Sequence, residues 1–379
     1  MIRASVLLVA LALAACGPLS PYVPPDAGSG GGLGGGSGGG AMGGGAGGGA
    51  IGGGSGGGAV GGGGGQDAGS GGVDVTPLYT ARSRLGARST AGFRPWRGGL
   101  AIIGAELFWV ESGSAPGLYR APLAGCAGSA CVDKLATVTR PSVFASTGES
   151  VLVADVTTLK RYSPDGGVQS IAAGASELVT LASDGAAAFW TTEDSAVNKT
   201  PFGGATSTPI YSNGTPWAMT VGGNRVYWVG VDISGLQAAL QSMRTDGTDA
   251  LEESRSGNGF ETLAGNGQYL YYAKDSPARV LRLTLSNGYL EEVATNAQGV
   301  KAFALDDTWA WWVEPGSGPD YANGRVRRVA HDSTTPETVA TSVKLPVAIA
   351  VSGGVAYVAS AGTPSLGYSD GVILRVAPR

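Results

Sequence analysis

The chain has 379 residues, 25 Lys plus Arg against 29 Asp plus Glu for a formal net charge of -4, and one histidine. Its basic residues are scattered among acidic ones without any Lys/Arg run, which argues against nucleic acid as a partner. One histidine leaves almost nothing for Ser-His-Asp hydrolysis or a His-ligated metal, so neither a metal nor a cofactor is expected.

The N-terminus carries positive charge at Met1 and Arg3, an apolar stretch from Val6 to Leu13, and then Leu13-Ala14-Ala15-Cys16. A stretch this short reads as an export signal over residues 1–15, because a helix needs roughly 20 apolar residues to cross a bilayer. Leu-Ala-Ala-Cys resembles the lipobox of bacterial lipoproteins. The resemblance implies cleavage before Cys16, acylation of that cysteine and palmitate among its chains, which would fix the protein to a membrane. Gly17 stands where an inner-membrane retention signal would usually have Asp, so the resemblance implies the outer membrane.

From Gly28 to Gly72 the sequence is almost entirely glycine with scattered Ser, Ala and single apolar residues such as Leu33, Met42, Ile51 and Val60. Nothing in it can build a core, and glycine loses the most backbone entropy on ordering, so residues 16–75 read as a lipidated cysteine on a flexible tether. Its mean reach is roughly 40 to 45 Å, from about 5 to 6 Å times the square root of its length.

Residues 76–379 contain one pattern seven times. A short apolar, mostly aromatic cluster begins at Leu107, Val151, Ala188, Val226, Leu270, Ala310 and Ala356, with spacings of 44, 37, 38, 44, 40 and 46 residues. That period suits one four-stranded propeller blade. Before each cluster stands a small apolar strand, such as Leu178-Val179-Thr180-Leu181 or Ala348-Ile349-Ala350-Val351, and a turn such as Ser183-Asp184-Gly185. After it comes a third strand carrying a basic residue: Arg120, Lys160-Arg161, Lys199, Arg244, Arg282, Arg327-Arg328 and Arg375. Apolar residues at consecutive positions fit a strand covered on both faces, so the aromatics are read as packing between blades. The expected fold is an all-β, seven-bladed propeller. Thr76-Pro77-Leu78-Tyr79-Thr80, with no inner strand of its own, should supply the outer strand of the last blade and couple the chain ends.

The repeat resembles the YWTD and NHL propeller families, in which a Tyr-Trp strand precedes an Ile-x-Arg strand and an Asp-Gly turn. At the place of the family's aspartate this chain has Glu111, Asp155, Thr192, Gly230, Lys274, Glu314 and Ser360. Only the scaffold is therefore implied, without the family's aspartate network.

Cys126 and Cys131 form a close pair in an exported chain and are expected to make a disulfide that stiffens a surface turn. His331, in a turn between third and fourth strands, reads as solvated. Adjacent carboxylates such as Asp306-Asp307 and Glu252-Glu253 point to opposite faces of extended backbone, and Asp246, Asp249 and Asp320 lack calcium-loop spacing. The loops 232–237, 314–321 and 361–368 all follow the aromatic strand, so they emerge on one side of the ring; Asp232, Leu236, Tyr321 and Tyr368 are its candidate binding residues. The expected role is protein or polysaccharide binding, or scaffolding, in the cell envelope. The alternative is an envelope glycan hydrolase or lyase that works through carboxylates on the propeller face.

Overall fold

A computed structural model of the chain describes residues 73–82, 84–85 and 99–378, except 127–129, 175, 193–195, 205, 213, 232–237 and 257–258. Residues 1–15, Cys16, the tether up to residue 72, Asp232 and Leu236 lie outside the described residues. Among the described residues, 28 strands form seven antiparallel sheets of four. Six are simple meanders, at 100–136, 141–173, 178–211, 215–256, 260–295 and 302–343. Each first strand contacts the first strands of the blades before and after it, and the first strand of blade 1 meets that of blade 7, so the ring is closed.

Blade 7 takes three strands from the end of the chain, Pro346–Ser352, Val355–Ser360 and Val372–Pro378, and its outer strand from Val73–Thr80. Val73 pairs with Pro378 and Thr80 with Val372, antiparallel. The closing strand thus includes Val73, Asp74 and Val75 together with the five residues read from sequence. Tyr79 is buried, and its hydroxyl donates to the Pro122 carbonyl of blade 1 at 2.5 Å. Seven-bladed closure and the N-terminal strand agree with the sequence reading.

The second strands explain the aromatic clusters. Successive side chains of a strand point to opposite faces, so the four positions of each cluster divide between two interfaces. In blade 1, Leu107 and Trp109 pack towards blade 7, while Phe108 and Val110 pack towards blade 2. In blade 6, Ala310 and Trp312 face blade 5, while Trp311 and Val313 face blade 7. The same division holds around the ring, with one hydrophobic cluster at each junction of neighbouring blades. Each large side chain buried in this way contributes roughly 1.5 to 3 kcal/mol.

In blades 1, 2, 3 and 5 a basic residue of the third strand reaches the next blade. Arg120 of blade 1 donates to the Pro164 carbonyl of blade 2, and Lys199 of blade 3 donates to the Thr245 carbonyl of blade 4 at 2.8 Å. Buried Arg282 of blade 5 donates to the Ala330, His331 and Ser333 carbonyls of blade 6. Arg161 of blade 2 lies over the Phe202 ring of blade 3, 4.6 Å from its centroid. All four reach the turn between the third and fourth strands of the next blade. Such turns expose backbone carbonyls, and a long cation satisfies them while its stem covers apolar surface.

Candidate functional site

In an antiparallel meander, the loops after second strands and the connections into first strands share one face. On that face the ring opens into a central cavity of about 720 Å³, within the range of small-ligand sites. First strands from all seven blades form its wall, with Phe144, Leu181, Met219, Leu263, Phe303 and Ile349 among the apolar residues. Among the described residues, Glu261 of blade 5 and Lys301 at the entry to blade 6 are its charged lining residues. Pro315, Tyr321 and Tyr368 reach it from the loops of blades 6 and 7.

Those two loops share one construction. Gly316 (φ 83°) and Gly362 (φ 89°) each begin a turn that an Asn or Asp side chain, two residues beyond the tyrosine, folds back to hold. Asn323 Oδ1 accepts from the Ser317 N–H at 2.8 Å, and Asp370 Oδ1 accepts from the Thr363 N–H at 2.6 Å. A Cβ at Gly316 would sit 2.5 Å from Asn323 Oδ1, and one at Gly362 would sit 2.5 Å from Asp370 Oδ1. Any larger residue would therefore break the turn as well as strain its backbone.

Both tyrosines have left-handed backbone, φ 49° at Tyr321 and 63° at Tyr368, a costly conformation for a bulky residue and one that clusters at functional sites. Their surroundings maintain it. The Leu345 N–H donates to Tyr321 O at 3.1 Å, the Tyr368 N–H donates to Thr363 O at 3.0 Å, and the Arg84 guanidinium stacks 3.9 Å from the centroid of the Tyr368 ring. The Ser365 N–H reaches Asp320 Oδ1 at 3.4 Å and links the two loops. Tyr321 remains 36% exposed, and Leu366, in a 3-10 turn two residues before Tyr368, is exposed in the second loop. Burial opposes ionisation of Asp370, but the hydroxyl and N–H of Thr363 and the Lys344 ammonium outweigh it and hold the carboxyl down at about 2.

The structure thus brings Tyr321 and Tyr368 together at one mouth, while Asp232 and Leu236 lie outside the described residues. Glu261 and Lys301 were missed from sequence, since neither short first strand carries any marker of charge facing the axis. The twin loops had a legible signal in the repeated order Gly-Ser or Gly-Thr, Tyr, then Asn-Gly or Asp-Gly two residues later.

The remaining candidates have structural partners. His331 is buried rather than solvated: its Nδ1 lies 2.9 Å from the Tyr271 hydroxyl, its Nε2 2.8 Å from Asp306 O, and its ring stacks on Tyr269. It belongs to the junction of blades 5 and 6, where the neighbouring blade supplies the tyrosines. Cys126 and Cys131 are disulfide-bonded, and beyond stiffening a turn they pack on the cluster joining blades 7 and 1. Asp249 pairs with Arg225 at 2.7 Å, which holds its carboxyl below the usual range, and the Thr248 hydroxyl and N–H do the same to Asp246. Glu111 and Glu314, at the family's aspartate place, accept from the indole N–H groups of Trp109 at 3.1 Å and Trp312 at 3.0 Å. Glu261 is the one carboxylate among the described lining residues, so these do not supply the pair that glycoside hydrolysis requires.

No protein family and no curated protein match the sequence. Solved structures do match in fold. A hydrazine synthase chain from Kuenenia stuttgartiensis aligns at TM-score 0.57 and 11% identity, covering 74% of this chain and 95% of that one. The computationally designed Ika8 protein aligns at TM-score 0.53 and 10% identity, covering 80% and 98%. A prolyl endopeptidase aligns at TM-score 0.50 and 13% identity, covering 74% of this chain and 49% of that one. At these identities the likeness is one of fold.

Proposed function

We propose that the chain is a cell-envelope lipoprotein, held to the outer membrane through acylated Cys16, whose propeller is a binding or scaffolding module for an envelope protein or polysaccharide. The observation that carries the binding role is the mouth of the ring, where two conformationally restrained tyrosines from adjacent blades meet over a cavity. Rigid scaffolds concentrate recognition in such loops, and aromatic side chains held in place bind at low entropic cost. The lipobox-like sequence and the glycine-rich tether support the anchored part of the reading. The resemblance to YWTD and NHL propellers supports the scaffold alone, since Glu111 and Glu314 at the family's aspartate place are engaged by the Trp109 and Trp312 indoles.

Metabolic labelling with a palmitate analogue followed by membrane fractionation tests the anchor. The wild-type protein is expected to carry label and sediment with outer membrane. Cys16→Ala should lose both properties; an unlabelled wild-type protein would refute the anchor.

A further inference from the structure

Among the described residues, the two charged residues lining the cavity differ in one respect. Glu261 has a partner of its own. Lys301 is half-buried at the entry to blade 6, and among the described residues no carboxylate stands within ion-pair distance of it. Its backbone is fixed, the N–H donating to Val313 O at 3.0 Å, so the side chain rises from a set position on the wall. Lys301 thus presents a positive charge to the cavity, and an anion that enters can make a charge-assisted contact with it. Around it the lining is mixed: Val300 and Ala302 flank it in sequence, Leu263, Phe303, Ile349, Tyr321 and Tyr368 supply apolar surface, and Thr180, Thr262 and Glu261 are polar.

We infer that the central cavity takes a carboxylate carried on an apolar body, with Lys301 receiving the carboxylate and Tyr321 and Tyr368 closing over the apolar part at the mouth. This rests on the reading of the tyrosine face as a binding surface and names the chemistry of its ligand. A cavity of about 720 Å³ has room for a small acid or for the last residues of a peptide. Either source presents the same groups, an apolar side chain next to a free carboxylate. Glu261 is itself a carboxylate, so like charge disfavours a ligand whose carboxylate lies towards blade 5.

The test is isothermal titration of the full-length lipidated protein in nanodiscs with four probes: 3-phenylpropionate, 3-phenylpropanamide, N-acetyl-Leu-Phe and its C-terminal amide. The acids are expected to bind at least about tenfold more tightly than the matching amides, the effect of one charge-assisted contact. Lys301→Met should bring that ratio close to one, and Lys301→Arg should preserve it, which keeps the test decisive if the Met variant folds poorly. Tyr321→Ala should weaken acid and amide alike. Tighter binding of N-acetyl-Leu-Phe than of 3-phenylpropionate would identify a chain end, and the reverse a free acid; both uphold the carboxylate assignment. Equal binding of acid and amide, or a ratio that survives Lys301→Met, would overturn it. Failure to retain any envelope partner while the ratio persists would remove the scaffolding role and leave this assignment standing.

Discussion

Trp311 and Trp312 are adjacent, equally buried at 0% exposure, and face opposite neighbours, yet their indole N–H groups differ. Trp312 Nε1 donates to Glu314 Oε1 at 3.0 Å, whereas Trp311 Nε1 is buried without a hydrogen-bond partner among the described residues. Replacing either by Phe leaves ~40 Å³ unfilled, which at about 24 cal/mol per Å³ costs about 1 kcal/mol. Trp312→Phe also removes a hydrogen bond to a carboxylate, a further 1.5 to 3 kcal/mol or so, while Trp311→Phe relieves a desolvated donor worth about 1 to 3 kcal/mol. Trp312→Phe should therefore destabilise by about 3 kcal/mol, and Trp311→Phe should leave stability unchanged or raise it by up to about 2 kcal/mol. Each ring lies near a guanidinium, Arg328 at 4.9 Å from Trp311 and Arg327 at 5.3 Å from Trp312, so cation–π losses largely cancel in the comparison. Urea unfolding followed by fluorescence should separate the two midpoints by about 1 M. Equal losses, or a greater loss at Trp311, would refute the argument that the Glu314 contact distinguishes these residues.

Burial pushes the Tyr272 hydroxyl up to about 12, against the small opposing effect of its contact with Ser254. A folded value above the unfolded one makes its contribution complete below about pH 10 and lost as pH rises towards 12, about 2 to 3 kcal/mol in all. Tyr272→Phe should flatten that alkaline decline in a denaturation series. At Asp370, with a carboxyl held at about 2, the sign is opposite: its contribution is present above roughly pH 4 and lost as pH falls through the folded value. Asp370→Asn should cost about 1 kcal/mol or less at neutral pH, after solvent screening, and remove the acid dependence of hydrogen exchange in the Tyr368 loop. Cys126→Ser with Cys131→Ser should cost about 2 kcal/mol for so short a loop. Because Cys131 Sγ lies 4.0 Å from the Tyr79 hydroxyl, faster exchange should concentrate in the closing strand Val73–Thr80.

The fold was readable because its main determinant is local. A cluster such as Trp309-Ala310-Trp311-Trp312-Val313 has an interblade role at almost every position, so the period of the aromatics is the period of the blades. The N-terminal closing strand was readable for the same reason, as a strand without a partner before the first repeat. His331 was misread because Tyr269 and Tyr271, which bury it, come from the preceding blade about 60 residues earlier. The third-strand cations were visible as a pattern, but Arg120, Lys199 and Arg282 donate to backbone carbonyls of the next blade, which sequence does not mark. The site was half legible: Tyr321 and Tyr368 stood out in long loops, whereas Lys301 acquires meaning only when seven short strands place it on a common axis.

The central claim is that the tyrosine-bearing face of the ring recognises an envelope component. Full-length protein, wild type or carrying Tyr321→Ser with Tyr368→Ser, should be crosslinked in intact cells, purified, and compared by mass spectrometry and glycan analysis. A protein or polysaccharide that crosslinks to the wild type and disappears from the doubly substituted protein, with folding preserved by circular dichroism, is the predicted result. Identical crosslinked species for both proteins would contradict the account.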